Sequence, residues 1–324
     1  APDMVVRCPR SNSDTRSVGH ATWEFRHAAV AAHLGAGPGI YDAWYSCRAT
    51  ERQRKGLHMV MARYRDDLNQ AMFHDAPGTT RLAPVIAACI CTSVDNMAKA
   101  GLFSYDLKSS NMVLRHAPLG TQWRRTGDAA DVDKTGKVRD DVPWLRTELE
   151  SRTRFLDDEV AAHVPADLRT SDCVVTASGA CYAPERAVDV RIIDFGRDFC
   201  EYRPFGDAVC PETPVLDVLR AQCATLGEYT AALRATMLVL LASNIAHELE
   251  VGKVSLNVSS AARLALNPLH ARMPTEKAAC TPRVVRLVKI ALRHPDVKAH
   301  ITHYNGRRNN GTRRTFRLAN FVLA

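Results

Sequence analysis

No Cys-x-x-Cys pair occurs among the ten cysteines of this chain, and Cys89 and Cys91 stand only one residue apart. That spacing is too tight for an ordinary zinc knuckle, so the common structural zinc patterns are absent. Long hydrophobic runs are lacking too. The longest, ATMLVLLASNIA at 235–246, is bounded by Arg234 and His247; it is too short for a bilayer and reads as a buried core helix, so no membrane partner is expected. No secretory leader opens the chain, which leaves Asn257-Val-Ser and Asn310-Gly-Thr with little meaning as glycosylation acceptors. Reduced thiols in a cytoplasmic protein are expected instead. There is no initiator methionine before APDMVV, so a fragment is expected.

What is present is a globular composition, 46% hydrophobic against 24% charged, enough to build a real core over 324 residues. The net charge of +8 favours acidic partners such as nucleotides, nucleic acid or anionic surfaces. Basic residues are dispersed except in NGRRNNGTRRTFR, which gathers Arg307, Arg308, Arg313, Arg314 and Arg317. This tail is read as a solvated basic terminus in preference to a nucleic-acid-binding one.

Along the chain, MVVR (4–7) reads as a short strand, and the Ala-rich ATWEFRHAAVAAHLG (21–35) as a helix stopped by Gly35. GIYDAWYSC (39–47) and GLHMVMARY (56–64) are β-rich runs across a polar link, which predicts a hairpin. From Leu82 the positions Val85, Ile86, Cys89, Ile90 and Met97 keep helical spacing up to Gly101, with Pro84 expected in the first turn. NMVLR and DVRIIDF (189–195) read as strands around a charged insertion at about 116–187, within which VPWLRTELESRTRFLDDEVAAHV predicts an amphipathic helix. From about 222 onward the pattern is mainly helical: 222–250, then RVVRLVKIALR (283–293).

Two motifs imitate ligand loops. LGAGPG (34–39) has closely spaced glycines, yet they follow a helix and precede a strand, the reverse of a phosphate loop. DVDKTGKVRDDV (131–142) places Asp131, Asp133, Thr135 and Gly136 as a calcium loop would, but Val142 stands where a bidentate glutamate is needed.

YDLKSSNMVL, at 105–114, has the parts a phosphoryl transfer needs, since that chemistry asks for positioning and charge neutralisation. Asp106 is an acid to take or orient a hydroxyl proton, Lys108 a cation for the γ-phosphate, and Asn111 an amide oxygen for Mg²⁺. Asp194, in RIIDFG, supplies a second carboxylate for the metal at a strand end, with Gly196 permitting the turn after it.

Together, YDLKSSNMVL and VRIIDFG resemble the catalytic loop and the Asp-Phe-Gly metal motif of eukaryotic-type protein kinases, and the wording is similar to the divergent kinases of large DNA viruses of algae. Lysine two after the aspartate is typical of the Ser/Thr branch. The resemblance implies an α+β, two-lobed fold, with a truncated β-rich N-lobe and hinge over 1–68 and a mainly helical C-lobe over 69–324. It further implies that Glu24 orients the ATP-binding cation, which here is Arg7 where the family has lysine. Met61 falls at the gatekeeper position, Ala62–Tyr64 at the adenine-binding hinge, and Asp67 near the ribose. Asp106 would be the base, Lys108 the phosphate clamp, and Asn111 and Asp194 the ligands of Mg²⁺ bound with ATP.

The chain also departs from the family. Only six residues precede Arg7, too few for the two strands and glycine-rich flap over the phosphates. Arginine's planar fork replaces an ammonium poorly. Ser104 and Tyr105 stand where the family has His and Arg, which implies that activity is not gated by a phosphorylated activation loop. The insertion replaces a short hairpin, CPE (210–212) only weakly resembles the end of the activation segment, and no Asp-x-Trp anchor follows.

Each residue also has a plain structural alternative: Asp106 a turn residue, Asp194 a strand-end cap, Glu24 a solvated acid, Arg7 an ordinary strand cation. The expected activity is Mg-ATP-dependent phosphorylation of Ser/Thr hydroxyls on a protein substrate. The alternatives are a pseudokinase acting as a nucleotide- or protein-binding scaffold, a small-molecule phosphotransferase, and a polyanion-binding protein whose affinity falls steeply with salt.

Overall fold

A computed structural model describes residues 4–7, 18–46, 56–64, 66–74, 76–118, 174–175, 180–182, 186–208, 212–251, 267–270 and 272–308. The expected amphipathic helix at 142–164, the calcium-like loop at 131–142, part of CPE and the tail beyond Arg308 lie outside those residues. The chain divides into two compact units. The first comprises Ala1–Asp66, Ala88–Ser93 and Val113–Arg197, the second Asp67–Ala87, Val94–Met112 and Asp198–Ala324.

In the first unit, β1 (Met4–Arg7), β2 (Ile40–Ser46) and β3 (Gly56–Ala62) form an antiparallel sheet ordered β1-β3-β2. The expected hairpin is present, its strands rich in β-branched and aromatic residues. Helix α1 (Val18–His33) buries Ala21, Glu24, Ala28, Ala31 and Ala32, spaced three and four apart as one helical stripe requires. Its end is a left-handed stop: Gly35 has φ 68°, and the N–H groups of Ala36 and Gly37 both return 2.8 Å bonds to Ala31 O.

A second sheet contains β4 (Asp66–Asp67), β6 (Met112–Pro118), β9 (Arg186–Ile192), β8 (Ala180–Tyr182) and β7 (Val174–Val175), side by side in that order. The segment read as an insertion therefore contributes strands, since β7 and β8 pair antiparallel and extend β9. LGAGPG acts as a brace for β9, because Ile192 donates to Ala36 O at 2.7 Å and Arg191 Nη1 to Gly35 O. Arg191 and Asp189 are fully buried and paired at 2.8 Å, and Tyr64 Oη closes the network on Asp189 at 2.9 Å.

The second unit is mainly helical: α2 (Leu68–His74), α3 (Ala76–Ala100, except Ala88–Ser93, which belong to the first unit), α4 (Pro214–Gln222), α5 (Leu226–Val251), α6 (Met273–Ala278), α7 (Pro282–Arg293) and α8 (Pro295–Arg308). The chain is thus a mixed α and β protein, with strands concentrated in the first unit. One expectation is corrected. Helix α3 starts at Ala76, so Pro84 lies in its interior and not in its first turn. The missing N–H is tolerated because Pro84 is on an exposed flank while Val85 and Ile86 beside it are buried.

Helix α5 is apolar around its whole circumference and is this unit's central element. Its Leu226–Leu249 stretch is long and apolar enough to cross a membrane, but 72% of that window is buried inside the protein, as the core-helix reading requires. Arg234, at the edge of the apolar run, pairs with Glu276 on α6 and lies 3.6 Å from Asp95 on α3.

Candidate functional site

After α3, Gly101 turns the chain at φ 77° into β5 (Leu102–Ser104), which pairs antiparallel with β10 (Cys200–Tyr202). A side chain at Gly101 would put its Cβ 2.0 Å from Arg203 O, so only glycine permits this approach. Tyr105 continues the ladder with N–H to Phe199 O at 3.0 Å, and its hydroxyl donates to Asp198 O at 2.8 Å. Where the resemblance led one to expect an arginine, a neutral side chain stitches the loop to the 198–199 backbone.

The loop then folds around Asp106, which is buried. Lys108 Nζ lies 2.9 Å from Oδ1 and 2.7 Å from Oδ2, and Asn111 Nδ2 donates to Oδ2 and to the Asp106 carbonyl, both at 2.9 Å. Burial works to raise the Asp106 carboxyl pKa, but bonds from His300 and Lys108 outweigh it and hold it below the usual carboxylate range. A 3₁₀ turn, Ser109–Asn111, fixes these positions before β6 begins.

In the first unit Arg7, Glu24 and Asp194 come together. Arg7 Nη1 is paired with Glu24 Oε1, and Nη2 lies 3.6 Å from Asp194 Oδ1. Glu24 is 5% exposed, so it is no solvated helix acid. Asp194 has φ 68°, the one non-glycine residue with positive φ among the described residues. A β-carbon in that region costs about 1–3 kcal/mol and persists where the surroundings over-determine it, commonly at functional sites.

The hinge residues divide by what they bind. Met61 is buried on β3. Ala62 donates its N–H to Gly39 O at 2.8 Å and pairs with Met4 of β1, so its N–H is committed within the sheet. Tyr64 holds Asp189 and Arg191 with its side chain, which places it in the buried network. Asp67, in the second unit, accepts from Gln70 N at 2.7 Å and caps α2.

Sequence reading missed the braces beneath the loop. Asn244 donates to Leu107 O at 2.6 Å, and Glu248 Oε2 accepts from Ser109 N at 3.2 Å and from its hydroxyl. Asn69 adds a 2.9 Å bond to Ser109 Oγ. Asn244 and Glu248 are four apart and so share one side of a largely buried helix, the signal in sequence that could have found them. His300, whose Nε2 lies 2.8 Å from Asp106 Oδ1, gave no local signal at all.

Among the described residues no group of three or more His, Cys, Asp or Glu could hold a metal alone. Mg²⁺ bound with a nucleotide needs only one or two protein oxygens, the rest coming from phosphate and water. The donor types present fit that demand. In the second unit Asn111 carries an amide oxygen beside the nitrogen that it commits to Asp106, and in the first unit the Asp194 side chain is 27% exposed. Comparison with protein-family models, curated proteins and solved structures finds no match to this chain.

Proposed function

We propose that this chain is a protein-kinase-like phosphotransferase that moves the γ-phosphoryl of Mg-ATP to a Ser or Thr hydroxyl of a protein. The observation that carries this reading is the Asp106 carboxylate, buried and held by Lys108 and Asn111 from one short loop. A carboxylate in that setting is aimed and kept ionised, the state in which a base can take a proton from an acceptor hydroxyl. The step would form a bond between the acceptor oxygen and the γ-phosphorus as the bond to the β-phosphate oxygen breaks. Lys108 would steady the phosphoryl oxygens and ADP would leave. Mg²⁺ would supply charge neutralisation at the phosphates, with the Asn111 oxygen a candidate ligand in the second unit and the Asp194 carboxylate a candidate in the first. Arg7, oriented by Glu24, supports the same reading by placing a fixed cation beside Asp194.

A second reading has its own support. The Arg7 guanidinium competes with a metal for the Asp194 carboxylate, as a nucleotide- or protein-binding scaffold without turnover would tolerate. Incubation with γ-labelled ATP, Mg²⁺ and a Ser/Thr-rich acceptor protein separates the two. The enzyme reading expects label on Ser or Thr that is lost in Asp194→Asn. ATP binding with no label transferred by any form of the chain would establish the scaffold.

A further inference from the structure

Asp106 has two carboxylate oxygens and about four lone-pair positions for hydrogen bonds. All four are taken. Oδ1 receives Lys108 Nζ and His300 Nε2, and Oδ2 receives Lys108 Nζ and Asn111 Nδ2. Lys108 and Asn111 belong to the same loop as the acid they hold. His300 does not, for it comes from α8, 194 positions further along the chain.

The imidazole is seated as a ligand would be. Its ring meets Tyr105 edge-on, with centroids 5.5 Å apart, and Phe199 at 5.7 Å. The helix is anchored close by, since α7 ends at His294, α8 begins at Pro295, and Val297 is completely buried. Two aromatic walls with a carboxylate oxygen at the end form a small seat for one side chain that carries a polar hydrogen.

We infer that this seat, formed by Asp106 Oδ1, Tyr105 and Phe199, is the acceptor-hydroxyl subsite, and that α8 occupies it with the chain's own His300 as an autoinhibitory plug. The inference rests on the phosphotransfer reading and deepens it. A Ser or Thr hydroxyl has to donate its hydrogen bond to Asp106 before its proton can pass, and the lone pair it needs is the one His300 holds. Lys108 and Asn111 cannot yield theirs without dismantling the loop. Hence α8 must lift before an acceptor enters, and the activity of the intact chain is the activity of its open fraction.

The test uses the full chain and two readouts. One is carbodiimide-driven coupling of an amine to Asp106, followed by peptide mapping, which reads access to the carboxyl whatever the activity. The other is transfer from γ-labelled ATP to a Ser/Thr-rich acceptor, with Asp106→Asn in each background as the blank. His300→Ala is expected to raise both coupling and Asp106-dependent transfer by about tenfold or more, the worth of a hydrogen bond to a charged group. His300→Gln, which retains a donor, should stay close to the parent. If the alanine variant does not fold, His300→Asn falls short of Oδ1 and has the same expectation as alanine. Equal coupling in the parent and His300→Ala overturns the plug. Coupling that rises while Asp106-dependent transfer stays the same overturns the subsite assignment and leaves the phosphotransfer reading standing. Absence of Asp106-dependent transfer in every form overturns that reading, and this inference with it.

Discussion

Charge support at Asp106 comes from few atoms, so single substitutions have clear signs. Lys108→Met removes the one cation from within the loop that contacts both carboxylate oxygens. The Asp106 carboxyl pKa then moves upward, readable by carbon NMR titration, and phosphotransfer falls by about 10²–10³-fold, as when a preorganised charge-stabilising donor is lost. Gly101 makes a separate point about backbone. At φ 77° and with Arg203 O in the space of a β-carbon, Gly101→Ala costs at least about 2 kcal/mol through strain and displacement of β10. Urea unfolding measures it. A loss below half a kcal/mol would mean that the β5–β10 pairing is not held as described.

At the scale of elements, two helix starts make independent predictions. Helix α7 opens on Thr281, whose hydroxyl accepts from Val284 N at 3.2 Å, with Pro282 in the first turn. Thr281→Ala should cost about 1 kcal/mol, read by thermal or urea unfolding. Helix α4 is held by Glu201, which accepts from Val215 N at 3.3 Å and Leu216 N at 2.9 Å. Burial pushes the Glu201 carboxyl up to about 7, against the two N–H bonds that pull it down. The folded chain therefore binds this proton more tightly than the unfolded one. The stabilisation is full below the ordinary glutamate value and is lost as pH rises through about 7. Glu201→Gln removes that slope, so its stability relative to the parent should improve from about pH 5 to about pH 8. A difference independent of pH would contradict the assignment. Much of this element map was legible in sequence. β-rich runs across a polar link exposed β2 and β3, an Ala-rich stretch stopped by Gly35 exposed α1, and the longest apolar run exposed α5. The start of α3 was not, because Pro84 reads locally as a first-turn residue while the helix extends before it. The strands β7 and β8 sit in a segment with no periodicity, and only pairing with β9 defines them.

Over the whole molecule, local chemistry was readable and long-range chemistry was not. Asp106, Lys108 and Asn111 are neighbours in sequence, so one short window holds the three side chains that the structure closes around one carboxylate. The resemblance named Arg7 and Glu24 as a pair and Asp194 apart from them, and the fold of the first unit gathers all three. The strain at Asp194, the braces from Asn244 and Glu248, and the His300 bond to Asp106 depend on tertiary contacts that no short window contains. The account stands on Asp106 as the base. Its most direct test is the single-turnover rate of γ-phosphoryl transfer by Asp106→Asn and the parent chain, each also carrying His300→Ala, with ATP affinity measured in parallel. The account predicts a rate loss of at least about 10²-fold with ATP affinity unchanged, the share expected of general-base catalysis. Equal rates in the two proteins would contradict it.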